Sequence, residues 1–189
     1  MEVREPVPAA YRLTIADWLA LPERRGLTEI LQGDLLVTPS PTATHQLVVG
    51  SLYMALRQHL GGRGWVFLAP LGVRFSEDTV LEPDLFVVLA EHGERLHEEY
   101  VDAPPDLVVE VLSRGSARRD LHAKRAVYAS AGVPEYWIVD PQARTLEVLV
   151  LERGSYSTHG SFGVDDVLGS RLLAQLAVAM REVFASPAA

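Results

Sequence analysis

The sequence predicts a chain of the α/β or α+β class built on a mixed sheet. Two segments, around residues 42–60 and 117–131, carry apolar residues at the 3.6-residue spacing of a helix packed along one face. Around them lie short apolar runs of strand length, bounded by Gly, Pro, Asp or Ser. Helices and strands are interspersed, and there is no repeat, low-complexity tract or linker. The 189 residues are therefore expected to form one domain, with 1–10 and 186–189 as flexible ends.

In chain order, Thr14-Ile15-Ala16-Asp17 reads as a capping box opening a short helix through Leu21. Leu27 to Leu31 and Leu35 to Thr38 flank Gln32-Gly33-Asp34 as a hairpin. Thr42 or Thr44 caps a helix to about Leu60, whose apolar stripe runs through Leu47, Val48, Leu52, Ala55 and Leu56. Trp65 to Ala69, Gly72 to Phe75, Asp84 to Leu89 and Leu107 to Leu112 read as strands. The acidic stretch from Glu91 to Asp102 reads as a solvated helix or loop. Ser116 caps a helix from about Ala117 to Ala131, stopped by Gly132-Val133-Pro134. Tyr136 to Val139 and Leu146 to Leu151 are two more strands. From Gly154 the chain reads as a less regular tail with a last helix near Leu176 to Phe184.

Composition excludes several chemistries. A hydrophobic share of 48% and a charged share of 22% describe a folded globular chain. There is no cysteine, which removes disulfides, thiolate metal sites and thiol nucleophiles. Met1 to Ala10 is polar and does not read as a signal peptide, and no apolar run approaches membrane-spanning length. A cytoplasmic location without membrane contact is the expectation. The formal net charge of −8 argues against a protein that coats nucleic acid non-specifically. Of 17 basic residues only Lys124 is a lysine. Arg and Lys are not interchangeable where a compact ammonium is needed, so that position invites a question.

The carboxylates answer part of it. Leu107-Val108-Val109-Glu110-Val111-Leu112 is an apolar run of the kind buried on both faces of a sheet. An ionised Glu110 inside it needs a partner, either in a buried salt bridge or as ligand to a cation. Asp84 follows Pro83 and opens the run Leu85 to Leu89. If the two strands are neighbours, both carboxylates face one spot, and hard oxygen ligands favour Mg²⁺ or Mn²⁺. On the helix that follows, Ala117, Leu121, Lys124, Tyr128 and Ala131 share a stripe of about 80°. The lone lysine therefore lies on the face turned to the sheet, unless it snorkels past the helix edge. There it can orient or deprotonate a water, or stabilise charge on a phosphoryl oxygen. Arg114, Arg118, Arg119, Lys124 and Arg125 stand against one acid, Asp120, so the border of this site is locally basic. That is where a phosphate backbone would lie.

Pro83-Asp84, then Glu110-Val111-Leu112 at the end of an apolar strand, then a helix, resembles the PD-(D/E)XK nuclease superfamily. More narrowly, the chain resembles the Uma-two (Uma2) family of restriction-endonuclease-like proteins. The resemblance runs from about Tyr11 to Phe184. It includes Glu29 to Leu35, Pro41 to His45, Glu110 to Ser113, Asp120 to Lys124 and Gly132 to Asp140. It implies an α/β fold with a restriction-endonuclease-like core, plus an N-terminal hairpin and C-terminal strands. It implies that Asp84, Glu110 and the backbone carbonyl of Val111 hold a catalytic Mg²⁺, with Mn²⁺ as the alternative. The superfamily's lysine belongs two residues after the Glu, where this chain has Leu112. Lys124 is the natural replacement, and the family is similar in placing its lysine there.

Glu29 and His45 complete the candidate catalytic set. Glu29 is a further acid of the site or an edge-strand charge. His45 reaches a phosphate, holds Glu29, or is an ordinary helix-end residue. Tyr128 is a pocket-lining group or a core tyrosine with one hydrogen bond. Arg114, Arg118, Arg119 and Arg125 are the candidates for nucleic-acid contact. His92 and His97 lack the spacing of a helical metal pair. Ser113 lacks a nucleophile-elbow context, and there is no phosphate-binding Gly-rich loop.

The leading expectation is a Mg²⁺-dependent phosphodiesterase acting on nucleic acid, foremost a DNA endonuclease. Cutting a duplex favours a homodimer by analogy, with the Leu146 to Leu151 strand and the last helix as candidate interface elements. A non-catalytic nucleic-acid-binding or assembly module that keeps the fold is the rival. It expects Asp84 and Glu110 to be tied up by Arg or backbone donors. A hydrolase of smaller phosphate esters, with a closed pocket, is the third.

Overall fold

The computed structural model describes residues 3–5, 12–21, 27–38, 40–113 and 117–185. Its centre is a six-stranded sheet. The strands are β4 (Gly64–Leu68), β7 (Leu85–Leu89), β9 (Leu107–Val111), β10 (Glu135–Asp140), β11 (Thr145–Glu152) and β12 (Ser155–Phe162), in the order β12-β11-β10-β9-β7-β4. β9 and β10 run parallel, joined by the helix α3 (Ala117–Ala131), and every other neighbour pair is antiparallel. The sheet is therefore mixed, as expected.

Alternation along β9 separates two cores. Leu107, Val109 and Val111 face one side, where Val48, Val49, Leu52 and Leu56 of α2 (Ala43–Leu60) pack on them. Val108 faces the other side, with Val127 and Tyr128 of α3. Glu110 shares the parity of Val108 and so points toward α3. Burial on both faces explains why β9 is an almost unbroken apolar run.

A second six-stranded sheet covers that side. It comprises β1 (Val3–Glu5), β2 (Leu27–Leu31), β3 (Asp34–Thr38), β5 (Gly72–Ser76), β6 (Thr79–Leu81) and β8 (Tyr100–Val101), in the order β1-β3-β2-β6-β5-β8. The β2–β3 hairpin pairs Leu31 with Asp34. Its turn is only Gln32 and Gly33, both at positive φ, the two-residue geometry that matches strand twist. Asp34 thus belongs to the strand and not to the turn. The capping box is present: Thr14 N–H and Oγ1 both donate to Asp17 Oδ2 at 2.8 Å. The helix it opens, α1 (Ile15–Leu19), stops before the expected Leu21.

Several expectations are corrected. The expected N-terminal hairpin belongs to a second large sheet, whose extent was not readable because β6 and β8 are too short to carry a pattern. The acidic stretch begins as the expected solvated helix, a 3₁₀ turn at Ala90–Arg95 with no buried residue, but ends in β8, whose Val101 is buried. The tail read as less regular from Gly154 opens with a full strand: β12 adds eight residues to the central sheet. It then forms a short hairpin of β13 (Val167–Leu168) and β14 (Val178–Ala179), and α4 spans only Met180–Val183. In the stretch read as a flexible N-terminal end, Val3–Glu5 pairs with β3. The expected cap at Ser116 lies outside the described residues. No helix among them is long and apolar enough to cross a membrane.

Candidate active site

β7 and β9 are antiparallel neighbours, so the start of one lies beside the end of the other. This places Asp84, just before β7, next to Val111. The Val111 N–H donates to Asp84 Oδ2 at 2.8 Å. His45, in the first turn of α2, puts Nε2 3.2 Å from the same oxygen. His45 is positioned by its own helix start, where its N–H donates to the capping Thr42 hydroxyl. It therefore holds Asp84, and not Glu29.

One residue before Val111 and on the opposite face, Glu110 meets α3. Lys124 Nζ lies 3.2 Å from Glu110 Oε1, and Tyr128 OH donates to the same oxygen at 2.6 Å. Lys124 thus points inward, as its helical stripe predicts. The second sheet supplies the last member. Glu29 Oε1 lies 2.8 Å from Lys124 Nζ. β2 is flanked by β3 and β6, so Glu29 is no edge-strand charge, and it is 1% exposed.

The structure thus gathers Glu29, His45, Asp84, Glu110 and Lys124, all buried, from five separated segments. Three of these are acids, against one lysine. Burial raises the Glu110 carboxyl against the pull of Lys124, and the nearby charges of Asp84 and Glu29 add to it, to about 7. Lys124 moves the other way from a buried lone lysine. Burial alone would lower it, but the charges of Glu110 and Glu29 hold its ammonium well above the ordinary lysine value. For His45, burial works downward but is outweighed by Asp84, Glu110 and the Val111 carbonyl, so its imidazole titrates above the usual value.

Two buried atoms of the cluster have no hydrogen-bond partner, Glu29 Oε2 and His45 Nδ1. Unmet buried polar atoms are costly and mark places where a water, ion or ligand belongs. No preformed group of three or more His, Asp or Glu metal ligands occurs among the described residues. The oxygen donors available to the cation that the resemblance implies are the carboxylates of Asp84 and Glu110 and the Val111 carbonyl. Mg²⁺ needs no more protein than that, because it keeps most of its waters. The residues present fit such a cation.

Over residues 15–181 the chain matches the Uma2 family, described as "Putative restriction endonuclease". The chain belongs to the Uma2 family. No curated protein matches it. A solved structure from Anabaena variabilis, described as "a putative nuclease belonging to DUF820", superposes with a TM-score of 0.76 at 19% identity, covering 91% of this chain and 97% of that one. At that identity the likeness is one of fold, and it bears out the nuclease-like α/β core.

The basic border is only partly visible in this Uma2 chain. Arg114 lies outside the described residues, as do the side chains of Arg118 and Arg119. Arg125 Nη2 donates to the Tyr156 carbonyl of β12 at 3.0 Å. Sequence reasoning missed Glu82, a buried acid two residues before Asp84. The signal was available: Thr79-Val80-Leu81-Glu82 sets an acid at the end of an apolar run, like Glu110. It also missed Glu135, but that acid is tied to main-chain and side-chain donors of the C-terminal segment. His92 and His97, whose spacing does not suit a helical metal pair, each face an acid, His92 with Asp106 at 2.7 Å and His97 with Asp102 at 3.7 Å.

Proposed function

We propose that this chain is a divalent-metal-dependent phosphodiesterase acting on nucleic acid, foremost a DNA endonuclease using Mg²⁺ or Mn²⁺. The observation that carries this reading is the gathering of three buried acids around one lysine: Lys124 meets Glu110 and Glu29, while Asp84 beside them meets His45 and the Val111 N–H. Such a surplus of buried negative charge calls for a cation. Asp84, Glu110 and the Val111 carbonyl would hold it. When bound, such a cation supplies an acidified water and offsets charge on a phosphoryl oxygen.

The other residues have separable tasks. Lys124 remains an ammonium, so it donates hydrogen bonds to a phosphoryl oxygen or a water and does not deprotonate that water. Glu29, which meets Lys124 at 2.8 Å, would keep that ammonium in place if Glu110 held a cation. His45 orients Asp84, and Tyr128 orients Glu110. The Arg-rich start of α3 would carry the phosphate backbone. A homodimer would pair two such sites for duplex cutting. Of the two interface elements named above, β11 lies inside the central sheet with both edges paired, whereas α4 buries Met180 and Val183 and exposes Arg181 and Glu182.

The rival reading, a non-catalytic module, is favoured by one observation. Asp84 Oδ2 already accepts a backbone donor, the Val111 N–H. Calorimetric titration of Mg²⁺ or Mn²⁺ into wild type and Asp84→Ala separates the two, followed by incubation with single- and double-stranded DNA. The nuclease reading expects binding that is lost in the variant, and metal-dependent nicking by wild type. Absence of metal binding even with DNA present leaves the non-catalytic module.

A further inference from the structure

The connection that carries Asp84 also carries a fourth buried acid. Glu82 is 2% exposed and precedes Asp84 across Pro83. Its surroundings follow from how β2 and β6 part. The two strands share one paired position, Ile30 with Val80. Continuing that antiparallel register would set Thr28 opposite Glu82, but the main-chain ladder does not continue. Carboxylates take its place. Thr28 N–H donates to Glu82 Oε2 at 2.7 Å, and Glu82 N–H donates to Glu29 Oε1 at 2.8 Å. Each parted strand offers an N–H to an acid of the other. The Thr28 carbonyl is held as well, by Trp18 Nε1 at 2.6 Å. Both main-chain groups of Thr28 are therefore fixed, and the next residue is the one that meets Lys124.

The geometry points to Glu82 as a positioning residue: its carboxylate ties β2 to the connection entering β7, and so sets where Glu29 meets Lys124 relative to Asp84. This rests on reading Lys124 as the cation of the site. The role depends on reach and acceptor geometry, not on charge. An amide oxygen at the same distance serves equally, whereas a carboxylate one methylene shorter does not arrive at Thr28.

The single lysine makes the test direct. With ¹⁵N-lysine, the side-chain resonance of the metal-free full chain comes from Lys124 alone. A buried ammonium held by two carboxylates exchanges its protons slowly, which keeps that resonance visible near neutral pH. Glu82→Gln is expected to keep the wild-type signal. Glu82→Asp is expected to shift or lose it although the charge is unchanged. Thr79→Val is the control. It removes another anchor of the same hairpin, Thr79 Oγ1 accepting the Gln32 N–H at 3.2 Å, at the far end of β2. That variant is expected to leave Lys124 unmoved.

An unmoved signal in Glu82→Asp overturns the proposal. So does loss in Glu82→Gln with retention in Glu82→Asp, which would make Glu82 a charge acting on the site. A signal lost in Thr79→Val also overturns it, because any loosening of the hairpin would then suffice. Wild type gives a second test that needs no folded variant. The Thr28 amide should exchange as slowly as that of Ile30, and rapid exchange overturns the proposal. None of these readings uses metal or nucleic acid, so they stand or fall separately from the nuclease reading.

Discussion

Glu110 concentrates the conflict in this site. It is a carboxyl buried among apolar strands, with two further acids nearby and one ammonium to balance them. Its folded value of about 7 lies above the ordinary 4.5. The metal-free native state therefore holds more protons than the unfolded state between those values, and stability falls as pH rises through that window. His45, also raised, acts with the same sign at its upper end. Glu110→Gln removes the Glu110 contribution and should flatten the slope between pH 5 and 7 in metal-free denaturation. The difference between the two proteins should reach about 2–3 kcal/mol at pH 7, with the variant the more stable. A variant less stable than wild type at pH 7 would mean that the Glu110–Lys124 pair is a net stabiliser. Because metal needs the ionised carboxylate, Mg²⁺ binding at pH 6 should release close to one proton. Calorimetry in buffers of different ionisation enthalpy reads that number.

Elements hold these residues in place, and two contacts do so far from the chemistry. Trp18 of α1 reaches under the second sheet to the Thr28 carbonyl, and its ring lies against Gly72 so closely that a Cβ there would collide with it. Gly72→Ala should displace the ring and cost about 1–3 kcal/mol in urea denaturation. The Glu135 carboxylate accepts from Trp137 Nε1, Ser170 Oγ, and the main-chain N–H of Arg171 and Leu172, all between 2.7 and 2.9 Å. Glu135→Ala strands those donors and should cost about 3 kcal/mol or more, while leaving the ¹⁵N signal of Lys124 unchanged. A moved lysine signal would show that the C-terminal segment is coupled to the site. These elements also mark what the sequence made legible. β7, β9, α2 and α3 announce themselves because burial on a face, or on both, leaves a readable period. β12 does not: of its eight residues only Tyr156 is buried, so no alternation exists to read. Asp84, Glu110 and Lys124 were legible as charges inside apolar patterns. Glu82 closes an apolar run of only three residues and Glu135 opens its strand, so each carries a weaker form of the same signal and was passed over. The partner of His45 was hidden because α2 and β7 meet only in three dimensions.

At the scale of the whole molecule, the charge distribution sets how such a chain would meet a polyanion. The net charge is −8, and the site itself adds buried carboxylates where a phosphate should arrive. The cations that the sequence sets in the segment around Lys124 are Arg114, Arg118, Arg119, Lys124 itself and Arg125. If all five contact phosphates, the logarithm of affinity should fall with the logarithm of salt at a slope of about −4.5, a small value for a DNA-binding protein. Metal-free association with DNA is therefore expected to be weak, and a divalent cation should strengthen it by reversing the sign of the local field. Fluorescence anisotropy of a labelled duplex checks this. Ca²⁺ in place of chelator should tighten binding at least tenfold in wild type, about 1.4 kcal/mol. Glu110→Gln separates the contribution of the ion from that of the carboxylate. It should bind DNA more tightly than wild type in chelator, since a repelling charge is gone, and gain little from Ca²⁺, since a ligand is gone too. Equal affinities with and without cation in wild type would place the DNA away from Asp84 and Glu110, and the buried acids would then serve the fold alone.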